Sequence, residues 1–218
     1  MPSAKKSRVS RMVASALAVL KRSSGTPRPA KPDGRLWSAQ LLKQLEWRRF
    51  EELCAAYFEL QGFGTRIART NADGGVDLHL CAAGSEKAAI LVHCKAWNAY
   101  RVGIEPVRAL RSAMAAAKIG AGRLVTSSRF TQEAVELAAK HNIQLVDGAA
   151  LLAGLAALPP EKALALLKFA TQGDYQTPTC PSCGVKMISR KSTSAGRKYW
   201  GCRNYPRCKH TVAALMTP

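Results

Sequence analysis

Hydrophobic periodicity along this sequence predicts an α/β fold, a mixed sheet flanked by helices, with a small metal-stapled module appended near the C-terminal end. Three observations carry that expectation. An amphipathic helical pattern opens the ordered part of the chain. Short apolar runs bounded by turn residues follow it, after which helical and strand patterns alternate. The last 39 residues hold four of the seven cysteines, in two close pairs.

The elements follow in order. Residues 1–36 are rich in Lys, Arg, Ser and Pro and predict a flexible basic arm. Within it, Met12–Leu20 is apolar, but Lys21 and Arg22 follow directly with no small-residue cleavage site. The stretch is also shorter than the ~20 residues that cross a bilayer, so a short amphipathic helix is expected, without stable membrane insertion. Trp47, Phe50, Leu53, Tyr57 and Leu60 recur at helical spacing and stop at Gly62. Strands are expected at Thr65–Ala68, Val76–Leu80 and Ala88–Lys95, the last two joined by the turn-prone AAGSEK. A helix over Pro106–Lys118 presents Val107, Leu110 and Met114 on one face. Strand Arg123–Thr126, helix Thr131–His141 and strand Ile143–Val146 come next, and an Ala/Leu-rich helical tail runs to Phe169. The hairpin predicts antiparallel pairing at the start of the sheet and the βαβ alternation predicts parallel pairing at its end. Gly173–Thr179 has loop composition. The expected organisation is an arm over 1–36, a main domain over 37–170, a linker over 171–178 and a module over 179–218.

A hydrophobic fraction of 47% is enough to bury a core, which excludes a wholly disordered chain. The net charge of +19 is unevenly spread. Residues 1–49 hold 12 Lys and Arg against 2 acids, residues 50–172 hold 13 against 11, and residues 173–218 hold 8 against 1. Charge loaded at both ends of a nearly neutral middle points to a polyanionic partner, because phosphate contacts release counterions and supply most non-specific affinity. With no secretory signal, a reducing cytoplasm is the expected compartment, and there clustered cysteines read as metal ligands.

The pattern Cys180-Pro-Ser-Cys183-Gly, then Cys202-Arg-Asn-Tyr-Pro-Arg-Cys208, places two cysteine pairs 18 residues apart. Such pairs can set four thiolates tetrahedrally around one Zn²⁺, a closed and therefore structural site. His210 is an alternative ligand, though the spacing favours Cys208. About 40 residues cannot bury enough apolar surface to fold alone, so the metal would supply the folding energy. Around the ligands lie Arg197, Lys198, Tyr199, Trp200, Arg203, Tyr205, Arg207 and Lys209. Cations interleaved with aromatics suit a single strand, since charge tracks the backbone while rings stack on bases. Tyr199 and Trp200 serve equally well as the module's own small core.

A second constellation is Asp73-Gly-Gly-Val-Asp77 followed by Val92-His93-Cys94-Lys95. The hairpin would bring Asp77 beside His93, with His93 and Lys95 on one face and Cys94 on the other. Phosphodiester hydrolysis needs a metal to activate water and a cation near the developing charge. Asp77 can ligate Mg²⁺, the Cys94 carbonyl can add an oxygen, and Lys95 can orient water. A surface ion pair between strands would read the same way. Cys54, Cys81 and Cys94 are expected to be buried thiols, and His79 and His141 incidental.

CPSCG…YWGCRNYPRC resembles the C-terminal zinc ribbons of type IA topoisomerases over residues 178–212. That resemblance implies structural zinc and a preference for single-stranded DNA. WRRFEELCAAYFELQGFG, NADGGVDLHL, ILVHCKAWNAYRVGIEPVRALRSAM, LVTSSRFTQEAVELA and IQLVDGAALL resemble, in order and spacing, the Mrr-type restriction endonuclease domain of the PD-(D/E)XK superfamily, over residues 44–155. What this implies is a mixed sheet flanked by helices and Mg²⁺-dependent DNA cleavage. Asp77 would then bind metal, Lys95 would be the catalytic lysine and Glu51 an accessory acid, although a solvated helix carboxylate reads alike. The superfamily often dimerises to cut both strands, which allows a homodimer here. One departure stands out: His93 occupies the position usually held by Gln or Glu. Imidazole is a poor ligand for Mg²⁺ and a good one for Mn²⁺ and other transition metals. Alternative roles for His93 are to orient water, to act as a base, or to mark a domain that kept DNA binding and lost cleavage. An RNA-binding accessory role is the third reading.

Overall fold

The computed structural model describes residues 37–68, 77–96, 100–192 and 196–213. The basic arm, the Met12–Leu20 segment and Asp73 lie outside these residues.

Two helices open the described chain, α1 (Ala39–Gln44) and α2 (Trp47–Leu60). The sequence reading missed α1, whose six residues are too few to establish a period. Its formation rests on a cap and one anchor: the Ser38 hydroxyl accepts from Leu41 N–H, and Leu42 is fully buried. The α2 pattern forms as expected, with Phe50, Leu53, Cys54, Tyr57 and Phe58 buried. Each fully buried Phe or Leu contributes about 1.5–3 kcal/mol.

The main sheet runs in the order β1 (Gly64–Ile67), β2 (Leu78–Cys81), β3 (Ala88–Lys95), β4 (Gly122–Thr126), β5 (Ile143–Val146). The β1–β2 and β2–β3 pairs are antiparallel, and β3–β4 and β4–β5 are parallel. This is the mixed sheet that the sequence predicts. Period-two alternation splits its side chains between two cores. Val92, Cys94 and Val125 face the layer formed by α1, α2, α5 (Gly148–Ala156) and α6 (Pro160–Thr171). Leu91 and Leu124 face α3 (Ile104–Ala117) and α4 (Gln132–Ala139). The helical tail expected as one run to Phe169 is two helices, α5 and α6. Pro159 and Pro160 divide them, because proline cannot donate to a helix interior but fits its first turn.

A separate antiparallel sheet of β6 (Met187–Lys191), β7 (Lys198–Cys202) and β8 (Thr211–Ala213) forms the cysteine module. Among the described residues its buried core is Cys180, Met187 and Cys202, with Val185, Trp200, Cys208 and Val212 packed alongside. The module is docked on the start of α2. Trp47 Nε1 donates to the Thr179 carbonyl at 2.8 Å, and Glu46 N–H donates to the Tyr175 carbonyl at 2.9 Å. Among the described residues no helix is long and apolar enough to cross a membrane.

Candidate functional site

The first cluster sits where β2, β3 and α2 meet. The register pairs Leu78 with Val92, and Asp77 N–H donates to the Val92 carbonyl at 2.9 Å, which sets Asp77 beside His93. Asp77 Oδ2 accepts from Cys94 N–H at 2.5 Å. His93 Nε2 lies 3.9 Å from the same oxygen and has no hydrogen-bond partner, although the residue is only 2% exposed. A buried polar atom without a partner costs about 1–3 kcal/mol, so its retention asks for an explanation. Lys95 closes β3, its carbonyl accepting from Thr126 Oγ1 at 2.8 Å.

Electrostatics tie Glu51 to the same place. Burial, then the charges of Asp77 and Glu46, raise its carboxyl to about 9, with Lys95 and Arg48 opposing. Glu51 is half-buried on α2, with Asp77 and Lys95 within electrostatic reach of its carboxyl. Burial likewise raises Asp77 to about 6, opposed by the Cys94 N–H and by Lys95. Burial and then Lys95 push His93 down to about 3, so at neutral pH its imidazole is uncharged. A neutral ring nitrogen and carboxylates that resist ionisation without a counter-charge form a donor set that a divalent cation fits. Nitrogen with oxygen suits Mn²⁺ and other transition metals better than Mg²⁺. Asp77 and His93 are thus brought together, with Lys95 in electrostatic reach of both and Glu51 in reach of Asp77 and Lys95. His79 on β2 is engaged elsewhere, its Nδ1 3.2 Å from the Arg66 guanidinium on β1. Cys54, Cys81 and Cys94 are buried.

The second cluster is the four cysteines. The sulfurs of Cys180, Cys183, Cys202 and Cys208 all lie within 4.8 Å of one another. Cys180–Cys208 and Cys183–Cys202 are 3.7 and 3.3 Å apart. Tetrahedral zinc with Zn–S bonds of 2.3 Å sets sulfurs about 3.8 Å apart, so the arrangement fits the ion. His210 stands outside the cluster, its Nδ1 3.1 Å from Ser182 Oγ.

The basic and aromatic residues around the cysteines divide between two faces. Trp200 packs against the module's core beside Met187 and Val212, which favours the core role for it. Arg197, Lys198, Arg203, Arg207 and Lys209 are exposed and Tyr199 is half-buried. Tyr205 is 61% exposed, with the Arg190 guanidinium 5.6 Å from its ring centre. Sequence reading missed Arg190. It pairs with Tyr199 across β6–β7 and crosses Gly201, where a Cβ would come within 2.8 Å of Arg190 Cδ. The available signal was the glycine in YWGC: a strand residue without a side chain marks a close approach.

Comparison with known proteins adds the lineage. Residues 177–215 match the topoisomerase DNA binding C4 zinc finger. The uncharacterized protein y4cE of Sinorhizobium fredii (strain NBRC 101917 / NGR234) is 31% identical over 115 residues, which is 50% of this chain and 29% of that protein. The DNA modification-dependent restriction endonuclease AspBHI has 23% identity and a TM-score of 0.48, covering 66% of this chain and 41% of that one. The MspJI restriction endonuclease in complex with a 27-mer oligonucleotide has 19% identity and a TM-score of 0.39, covering 83% and 42%. The chain therefore spans under a third of its curated relative and about two fifths of each solved structure. Residues 42–155, just over half of the chain, match the Mrr-type restriction endonuclease family, and the chain belongs to that family.

Proposed function

We propose that this chain is a metal-dependent DNA endonuclease that hydrolyses phosphodiester bonds and holds DNA, preferentially single-stranded, on its zinc ribbon. The observation that carries this reading is the buried Asp77 beside the partnerless His93 Nε2, with half-buried Glu51 and Lys95 in electrostatic reach of Asp77. Asp77, Glu51 and His93 would hold the ion, with the Cys94 carbonyl adding an oxygen. In a strand, N–H and C=O of one residue point the same way, and the Cys94 N–H points at Asp77. A divalent cation held by these residues would supply polarisation of the phosphate and activation of water. Lys95 orients that water and meets the charge that develops on the phosphate. His93 makes Mn²⁺ the better-matched ion and Mg²⁺ the weaker one.

The ribbon holds structural Zn²⁺ on Cys180, Cys183, Cys202 and Cys208, and a complete thiolate shell leaves no open position for chemistry. Exposed Arg197, Lys198, Arg203, Arg207 and Lys209 track phosphates, and Tyr205 offers a stacking face. The protein works in the cytoplasm, and a homodimer would let two such sites cut both strands. His93 favours a second reading, a nuclease fold retained for DNA binding after cleavage was lost.

Purified protein is incubated with supercoiled and single-stranded DNA in Mg²⁺ and in Mn²⁺, beside Asp77→Ala and Lys95→Ala. Cleavage by the unaltered protein, reduced about a hundredfold or more in both variants, is the expected result. Tight DNA binding without cleavage in either ion would leave the second reading in place.

A further inference from the structure

The cysteine module and the catalytic-type cluster share one helix, and the residue between them is Glu46. It caps α2, its carboxylate accepting from Arg48 N–H at 3.1 Å. The same carboxylate accepts from Thr179 N–H at 3.2 Å and Thr179 Oγ1 at 2.9 Å, and pairs with Lys186 Nζ at 3.2 Å. Thr179 and Lys186 form a β-bridge that closes the loop carrying Cys180 and Cys183, and Cys180 N–H donates to the Val185 carbonyl within it. Glu46 therefore grips both ends of the first cysteine knuckle. Its side chain is 3% exposed, so the partners supplied by the knuckle replace solvent almost entirely.

Glu51 lies five residues further along α2, about 7.5 Å along the helix axis. We propose that Glu46 is the positioning residue through which the cysteine module sets the start of α2, so that the nuclease site is fully assembled only when the first knuckle is folded. A small metal-stapled module melts when its ion is lost, because its apolar core is too small to hold it. Melting removes Thr179 and Lys186 from the carboxylate, which then exchanges three fixed partners for water and loses the fixed orientation that sets the α2 cap. Phe50 and Leu53 stay anchored in the core, so the disturbance is confined to the first turn and to Glu51 just beyond it. The module thus makes metal binding at the nuclease site conditional on its own integrity, separately from any contact with DNA. This inference rests on the endonuclease reading above.

The test uses the full chain, zinc-loaded and without DNA. Amide hydrogen exchange over residues 48–52 reports the start of α2, and Mn²⁺ titration followed by electron paramagnetic resonance reports the nuclease site. Glu46→Ala is expected to speed exchange and weaken Mn²⁺ binding by roughly tenfold each, as loss of a charge-assisted hydrogen-bond set would. Glu46→Gln keeps an acceptor oxygen and should recover most of both. Chelation of the zinc should reproduce the faster exchange. If Glu46→Ala does not fold, Thr179→Val removes one hydrogen bond, keeps the carboxylate and should give the same changes in smaller measure. Faster exchange with unchanged Mn²⁺ affinity would mean the docking is structural only and would overturn the proposal, as would unchanged exchange. Absence of Mn²⁺ binding by the folded, unaltered protein would instead overturn the endonuclease reading.

Discussion

The two clusters are both suited to metal, yet they are built in opposite ways. The four cysteines come from two short turns, and their module has three buried core residues. The carboxylate cluster comes from a helix and two strands of a sheet with a core on each face. In the first case the ligands make the fold. In the second the fold sets the side chains, burying Asp77 and His93 and half-burying Glu51, which shifts each away from its charged form. The contrast teaches that ligands in a small module depend on their ion for stability, whereas a cluster of buried ionisable groups is a local cost borne by the rest of the fold.

The sharpest way to break this comparison is to remove the ions. A strong chelator should unfold residues 179–213 and leave the main sheet standing, since zinc binding in such modules is worth about 10–16 kcal/mol. Protease resistance and circular dichroism read it, and survival of the module would overturn the zinc assignment.

A smaller effect of opposite sign is expected at the carboxylates. Glu51 is raised from 4.5 to about 9 and Asp77 from 3.8 to about 6, so each is held more readily in its protonated form by the folded protein. Their favourable contribution is complete below pH 4 and is lost as pH rises, through about 6 for Asp77 and about 9 for Glu51. Glu51→Gln should therefore stabilise the ion-free protein by about 1–3 kcal/mol at pH 8 and flatten its stability between pH 5 and 9, while abolishing cleavage. Denaturant unfolding at several pH values decides this, and an unchanged pH slope would show that Glu51 is not desolvated.

On the ribbon, Tyr205→Ala should weaken single-stranded DNA by about 1–3 kcal/mol with little change in salt dependence. Arg190→Ala should both weaken binding and lower the salt slope by about one unit. Fluorescence anisotropy against salt separates the two, and identical slopes would place Arg190 away from the phosphates. The smallest effect is at His93. His93→Gln supplies oxygen in place of nitrogen and should raise the Mg²⁺-supported rate relative to the Mn²⁺-supported one on the order of tenfold. An unchanged ratio would remove His93 from the ion.

Much of this was legible before any coordinates. The hairpin turn at AAGSEK fixed which residues of β2 and β3 face each other, and so placed Asp77 beside His93. What was missed had a common cause. The six-residue α1 forms because Leu42 finds a core made by α5 and its neighbours, which no local period announces. Arg190 matters because it crosses β7 at Gly201 to reach Tyr205, a contact between three separate segments.

The sequence by itself determined the four-cysteine cluster and the mixed sheet, because each depends on spacing along a few residues or on a regular alternation, and the hairpin spacing set Asp77 beside His93. Tertiary structure alone decided that Glu51 is half-buried within reach of Asp77, that His93 Nε2 is left without a partner, and that Glu46 holds the knuckle 133 residues away. Desolvation and hydrogen-bond completion are set by whichever distant segments close over a group, and spacing along the chain does not record them.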